Sequence, residues 1–167
     1  MKHPLALLAT GLCAAGLCTT ATAQDATFPL RTLTPETALK AAQGALADCR
    51  ARGYQVAVAV VDRSGITQVL LRDRFAGPHT VGVASDKAWT ALSFRTSTLE
   101  LVELTQPGRP MSGLRSVPRM LAIGGGLLIE GGGSIYGGIG VSGAPGGDAD
   151  EACAKAGLKA VADVLAF

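Results

Sequence analysis

Aromatic residues make up only 4% of this 167-residue chain, and histidine is scarcer still, with His3 and His79 alone. Neither H-E-x-x-H nor C-x-x-C occurs, and too few histidines and cysteines remain beyond the N-terminal segment for a four-ligand structural zinc site. No G-x-S-x-G is present, because Tyr136 stands where Ser134 would need a second glycine, which removes the nucleophile elbow of the α/β hydrolases. Charged residues are few, at 17%, and nearly balanced, for a formal net charge of +2. Without a basic run or aromatic platforms, the chain lacks the footprint of a nucleic-acid binder or a membrane-surface helix. Carboxylates are spread thinly. The pairs Asp73 with Asp86 and Glu100 with Glu103 read as exposed turn or helix charges rather than catalytic dyads.

What the chain has instead is glycine. Of its 22 glycines, 12 lie between Gly124 and Gly147, interrupting short apolar runs at 120–123, 127–129, 135–136 and 139–141. Glycine supplies positive φ in tight turns, so this pattern predicts strands in a compact antiparallel meander. Glycine inside a strand leaves room for close approach. Gly137, Gly138 and Gly140 therefore predict contact with a helix, another subunit or a flat ligand, with helix packing the plainer reading. The literal G-x-G-x-x-G at Gly138, Gly140 and Gly143 fails as a dinucleotide fingerprint. Residues 144–147 separate it from the next helix, and too little chain follows for a βαβ unit.

Residues 1–23 carry Lys2, an apolar Leu/Ala run and a small-residue site at Ala21 and Ala23, the pattern of a secretory signal peptide. Leucine precedes both Cys13 and Cys18, which argues against a lipid anchor, and cleavage after Ala23 lowers the formal charge to +1. A periplasmic or secreted protein without further membrane insertion is the expectation. Residues 24–33 read as a flexible lead-in to one domain over 34–167. Thr34, Pro35 and Glu36 open a helix reaching about residue 52, with Leu39, Ala42, Leu46 and Cys49 at helical spacing and Gly53 as the stop. Residues 54–62 are apolar on both faces and predict a central strand; Arg63, Ser64 and Gly65 turn it back into a second strand at 66–72. A helix follows Pro78 with a stripe of Val81, Ala84, Ala88 and Ala91, widened by Trp89 and Leu92, and Ser97 with Glu100 caps a shorter one. The last helix begins near Asp148, whose acidic neighbours suit its positive end, and places Cys153, Gly157, Ala160 and Val164 on one stripe.

Cys49 lies late in the first helix and Cys153 early in the last. If those helices pack antiparallel side by side, the two sulfurs meet, and export to an oxidising compartment predicts a Cys49–Cys153 disulfide; two buried free thiols are the alternative.

Five features in order, a first helix, VAVAVVDRSG, DRFAGPHTVGVASDKAWTALSF, QPGRPMSGL and IGGGLLIEGGGSIYGGIGVSG, resemble the GlcG/HbpS family of haem-binding proteins, which includes the C-terminal domain of PduO-type corrinoid adenosyltransferases. The resemblance covers essentially everything after the signal segment. It implies a single α+β domain, a five-stranded antiparallel sheet with helices on both faces, assembly into homo-oligomers, and haem or a related tetrapyrrole as ligand in some members.

Haem needs an apolar slot, cations for its propionates and, commonly, an axial ligand. His79 is the one histidine after the signal segment, and a helix start favours the neutral imidazole that binds iron, with a surface or capping histidine as the plainer reading. Met111, Tyr54 and Tyr136 are weaker ligand candidates. Arg74, Lys87, Arg95, Arg109, Arg115 and Arg119 are candidate propionate partners, each with a solvated charge as the plainer reading. The chain thus reads as an exported haem-binding protein for uptake, storage or sensing. A small-molecule enzyme or accessory factor, and an interaction module for a membrane partner, are the rival readings.

Overall fold

Strand β1 (Ala57–Asp62) is the middle of the molecule, with residues 57–61 fully buried. A computed structural model describes residues 26–165 of the chain, so the segment expected to be a signal peptide lies outside the described residues. The folded unit begins at Arg31, while residues 26–30 carry no helix or strand. Leu33, read as part of a flexible lead-in, is buried in the core.

Around β1 stand β2 (Thr67–Arg72), β3 (Gly126–Gly131) and β4 (Ser134–Ser142), giving an all-antiparallel sheet in the order β2-β1-β4-β3. Helices α1 (Pro35–Ala51) and α4 (Gly147–Leu165) cover one face, and α2 (Thr80–Phe94) covers the other, followed by the short α3 (Thr98–Leu104). The α+β class and the helices on both faces match expectation. The strand count does not, because the described residues form four strands rather than five. The run at 120–123 is not a strand: the Leu121 N–H donates to Thr90 Oγ1 (3.0 Å) and the Thr90 hydroxyl donates to the Arg119 carbonyl (3.2 Å). A helix side chain thus satisfies backbone groups that a sheet ladder would otherwise take. The runs at 135–136 and 139–141 are parts of one strand, β4.

Side-chain size sorts the two faces of the sheet. Val58 and Val60 of β1 and Tyr136, Ile139 and Val141 of β4 point into the core under α1 and α4. The opposite face carries Ala57 and Ala59 on β1, with Gly138 and Gly140 on β4. There α2 lies so close that a Cβ at Gly138 would sit 2.5 Å from the Ala88 carbonyl oxygen, and one at Gly140 would overlap the Ala84 carbonyl. Gly138 and Gly140 therefore admit a helix, not a flat ligand, whereas a Cβ at Gly137 would meet the Val61 carbonyl of β1.

Helices α1 and α4 also approach through small residues. A Cβ on Gly44 would lie 2.8 Å from that of Ala160, and one on Gly157 would lie 2.6 Å from the Ala41 carbonyl. Farther along this antiparallel pair a disulfide joins Cys49 to Cys153 across a Cα separation of 5.4 Å. Thr34 caps α1, accepting from the Thr37 N–H, and Gly53 takes positive φ beyond its end. Ala42, Leu46, Cys49, Cys153 and Gly157 are buried as expected, but Leu39 and Val164 are exposed, while Ala38, Ala41, Ala45, Val161 and Leu165 join the buried face. Small residues let the two helices come close, so alanine rather than leucine fills the contact.

Candidate functional site

The first residues of α2, the β4–α4 loop and the segment leaving α1 enclose a partly open cavity of about 620 Å³. One wall follows from helix spacing, since His79, Val83 and Lys87 stand four residues apart and share a face of α2. The loop Ser142 to Gly147 and Asp150 form further lining with Tyr54 and Gln55, and the exposed Phe75 and Ile123 stand at the rim. The loop is held close because Gly143 has φ of +130° and packs against the Gln55 carbonyl, where a Cβ would come within 2.6 Å. Any other residue there would be strained twice, by conformation and by space.

At the floor Lys87 Nζ donates to Asp150 Oδ2 (2.7 Å) and to the Val141 carbonyl (2.9 Å), while Asp150 Oδ1 accepts the Ala144 N–H (2.9 Å). The Lys87 and Asp150 side chains are 2% and 6% exposed. Burial lowers the Lys87 pKa, against the pull of Asp150, and burial raises that of Asp150, against Lys87 and the Ala144 N–H. Both shifts run towards a neutral pair, since desolvation outweighs the attraction.

His79 occupies the N-cap position of α2, but its ring does not cap the helix. The turn is closed instead by Thr80, whose N–H and hydroxyl both donate to the Gly77 carbonyl (3.0 and 2.7 Å). The exposed imidazole folds over Gly77, where a Cβ would lie 2.7 Å from its Cε1. Gly77 thereby lets the ring lie along the cavity rim.

Residues 33–159 match a family described as haem degrading protein HbpS-like. The chain belongs to this HbpS-like family. A double mutant of HbpS from Streptomyces reticuli has a similar structure, with a TM-score of 0.76 and 37% identity over 92% of this chain and 97% of that one. A structure of a PduOC:Heme complex is similar with a TM-score of 0.74 and 29% identity, over 78% of this chain and 95% of that one. By sequence, corrinoid adenosyltransferase PduO from Salmonella typhimurium is 37% identical over 90 residues, 53% of this chain and 27% of that protein. The chain thus spans only about a quarter of that relative's length.

Within this HbpS-like fold the residues singled out from sequence fall into separate places. His79, Lys87 and Tyr54 line the cavity, and Arg74 stands beside it with its guanidinium 5.8 Å from the Phe75 ring centre. Tyr136 is buried in the core under α1 and α4. Arg95, the left-handed C-cap of α2, lines a separate 210 Å³ hollow with Arg63. Arg109 and Met111 line a third, of about 330 Å³, next to Leu104 and Pro110. Arg115 donates to the carbonyls of Thr105 (2.8 Å) and Val102 (3.3 Å), which pins its loop to α3. Arg119 pairs with Asp86 (2.9 Å) and lies over Trp89.

Asp73 and Asp86 are each paired with an arginine, Arg50 and Arg119. Asp73, expected to be exposed, is buried and accepts from Arg50 (2.8 Å), and Glu100 accepts from the Thr96 hydroxyl (2.6 Å). Among the described residues no three His, Cys, Asp or Glu side chains converge on a metal position, and no helix is long and apolar enough to cross a membrane. Asp150 is the site residue that sequence reading missed. Its place in the first turn of α4 read as a dipole charge, and no local signal pointed to Lys87, 63 residues away.

Proposed function

We propose that this chain binds haem or a related tetrapyrrole in the cavity beside α2, with His79 as axial ligand to the iron. One observation carries the reading: the single histidine after the signal segment lies at the rim of the 620 Å³ cavity. The surroundings suit a planar apolar group with acidic edges. Phe75, Val83 and Ile123 supply apolar contact, and Tyr54 adds a phenol to the lining. Lys87 is already held by Asp150 and Val141, which leaves Arg74, beside Phe75 at the mouth, as the cation placed to meet a propionate. Bound haem would supply ligand exchange and redox chemistry at its iron. The protein's part is to orient the ring, offer the imidazole and shield one face from water.

Membership of the HbpS-like family and the likeness to a PduOC:Heme complex support this reading. Export to the periplasm or beyond, homo-oligomer assembly and a role in uptake, storage or sensing belong to the same proposal. The signal-like N-terminus and the Cys49–Cys153 disulfide support export. Titrating the purified mature protein with hemin is expected to give a saturable Soret shift that weakens in His79→Ala. Absence of a saturable shift removes the proposal; an unchanged shift in the variant removes only the ligand assignment.

A further inference from the structure

We infer that Lys87 is a carbonyl-reactive amine, and that the cavity admits a small aldehyde or ketone and holds it on Lys87 Nζ as an imine. This goes beyond haem binding and does not rest on it. Lys87 is the one lysine in the cavity lining, whereas Lys40, Lys155 and Lys159 are exposed. Two of the three ammonium donors are fixed, on Asp150 Oδ2 at 2.7 Å and on the Val141 carbonyl at 2.9 Å, so the nitrogen is held in place at the wall. Asp150 lines the same cavity and touches the ammonium, so it is positioned to take up its proton. Burial favours that transfer, because it penalises both charged forms together. A desolvated amine beside an internal base is the arrangement that makes lysine a nucleophile near neutral pH.

The step balances with one proton released to solvent. Proton transfer from Lys87 to Asp150 frees the lone pair; the nitrogen attacks the carbonyl carbon, forming the C–N bond while the C=O π electrons move to oxygen. The nitrogen gives up a proton and the oxygen gains one, giving a neutral carbinolamine. A proton from the Asp150 carboxyl then lets that oxygen leave as water, and loss of the remaining N–H proton to solvent gives the neutral imine. The sum is ammonium plus carbonyl to imine, water and one proton passed to solvent, with the Asp150 carboxylate restored and no oxidant or reductant consumed. Val83, Phe75 and Ile123 suit a short hydrocarbon chain on the carbonyl compound. The other ionisable groups nearby are His79 on α2, Tyr54 beyond α1, and Asp148, which adds to the upward pressure on Asp150.

The test is reductive trapping on the full mature protein. Butyraldehyde at limiting concentration with sodium cyanoborohydride, followed by peptide mapping, reads each lysine separately. Lys87 is expected to be alkylated faster than Lys40, Lys155 or Lys159, because burial lowers its pKa and leaves a larger share of free amine. Asp150→Asn, which removes both the proton acceptor and the charge that holds the ammonium, is expected to change labelling at Lys87 and leave the other three unchanged. Label confined to the three exposed lysines, with Lys87 bare in the folded wild type, overturns the inference whether or not the variant folds. Hemin titration of the same preparation keeps the two proposals apart. Labelled Lys87 without a Soret shift retains the amine and removes haem, and a Soret shift with Lys87 bare does the reverse.

Discussion

Lys87 Nζ lies 2.7 Å from Asp150 Oδ2, and this contact ties α2 to the first turn of α4 across the end of β4. Both partners are nearly dry. Removing one leaves the other charge buried, so Lys87→Met is expected to cost about 3–5 kcal/mol. The double variant Lys87→Met/Asp150→Leu should recover most of that, less the acceptor lost by the Ala144 N–H. Urea midpoints at constant slope measure both, and a double variant no better than the single one contradicts the pairing account.

The same pair sets a pH signature. Lys87 titrates below its ordinary 10.5 in the folded chain, so in the window from that lowered value up to 10.5 the unfolded chain binds more protons. Stability therefore rises with pH there. Asp150 titrates above its ordinary 3.8, so between 3.8 and the raised value the folded chain holds more protons, and stability falls as pH climbs. Unfolding free energy across the pH range should show both slopes in the wild type. Neither slope should survive in the double variant.

Glycine substitutions should divide by face. At Gly140 an added methyl meets the Ala84 carbonyl, which belongs to backbone and cannot turn aside, so Gly140→Ala is expected to cost at least about 1–3 kcal/mol. Gly82, in the exposed part of α2, has nothing within 4 Å of a built Cβ, and Gly82→Ala should stabilise by about 0.5–1 kcal/mol through helix propensity. Thermal midpoints moving in opposite directions are the expected result. Equal shifts would show that α2 does not press on β4 as described.

The Cys49–Cys153 disulfide spans 104 residues of sequence, so removing it with a double alanine variant should cost up to about 4–5 kcal/mol in the chain-entropy account. Thiol titration of unreduced, denatured mature protein should find no free thiol. Two free thiols would refute the bond.

Much of the scaffold was legible in one dimension. Thr34-Pro35-Glu36, the apolar run through Val61 and the turn glycine at Gly65 each act on their own neighbours, so the first helix, the central strand and the first hairpin followed from local chemistry. The run at 120–123 misled because Thr90, 31 residues before Leu121, takes the backbone group that a strand would have paired. Of the candidate site, His79 and Lys87 were named from residue type and resemblance. Arg95, Arg109, Met111 and Arg115 were named the same way, yet they stand at other hollows or bind loop carbonyls.

The sequence by itself determined the pieces: capped helices, a buried β-branched strand, turns where glycine stands, and two cysteines placed for bridging. These are set by φ/ψ preference and hydrophobic period, which act over a few residues. Only the tertiary structure decided what the pieces enclose. It pressed α2 into the glycine face of β4, turned Lys87 onto Asp150, and opened the cavity beside His79. Those outcomes depend on contacts between segments tens of residues apart, where close packing and burial of charge act and local pattern carries no information.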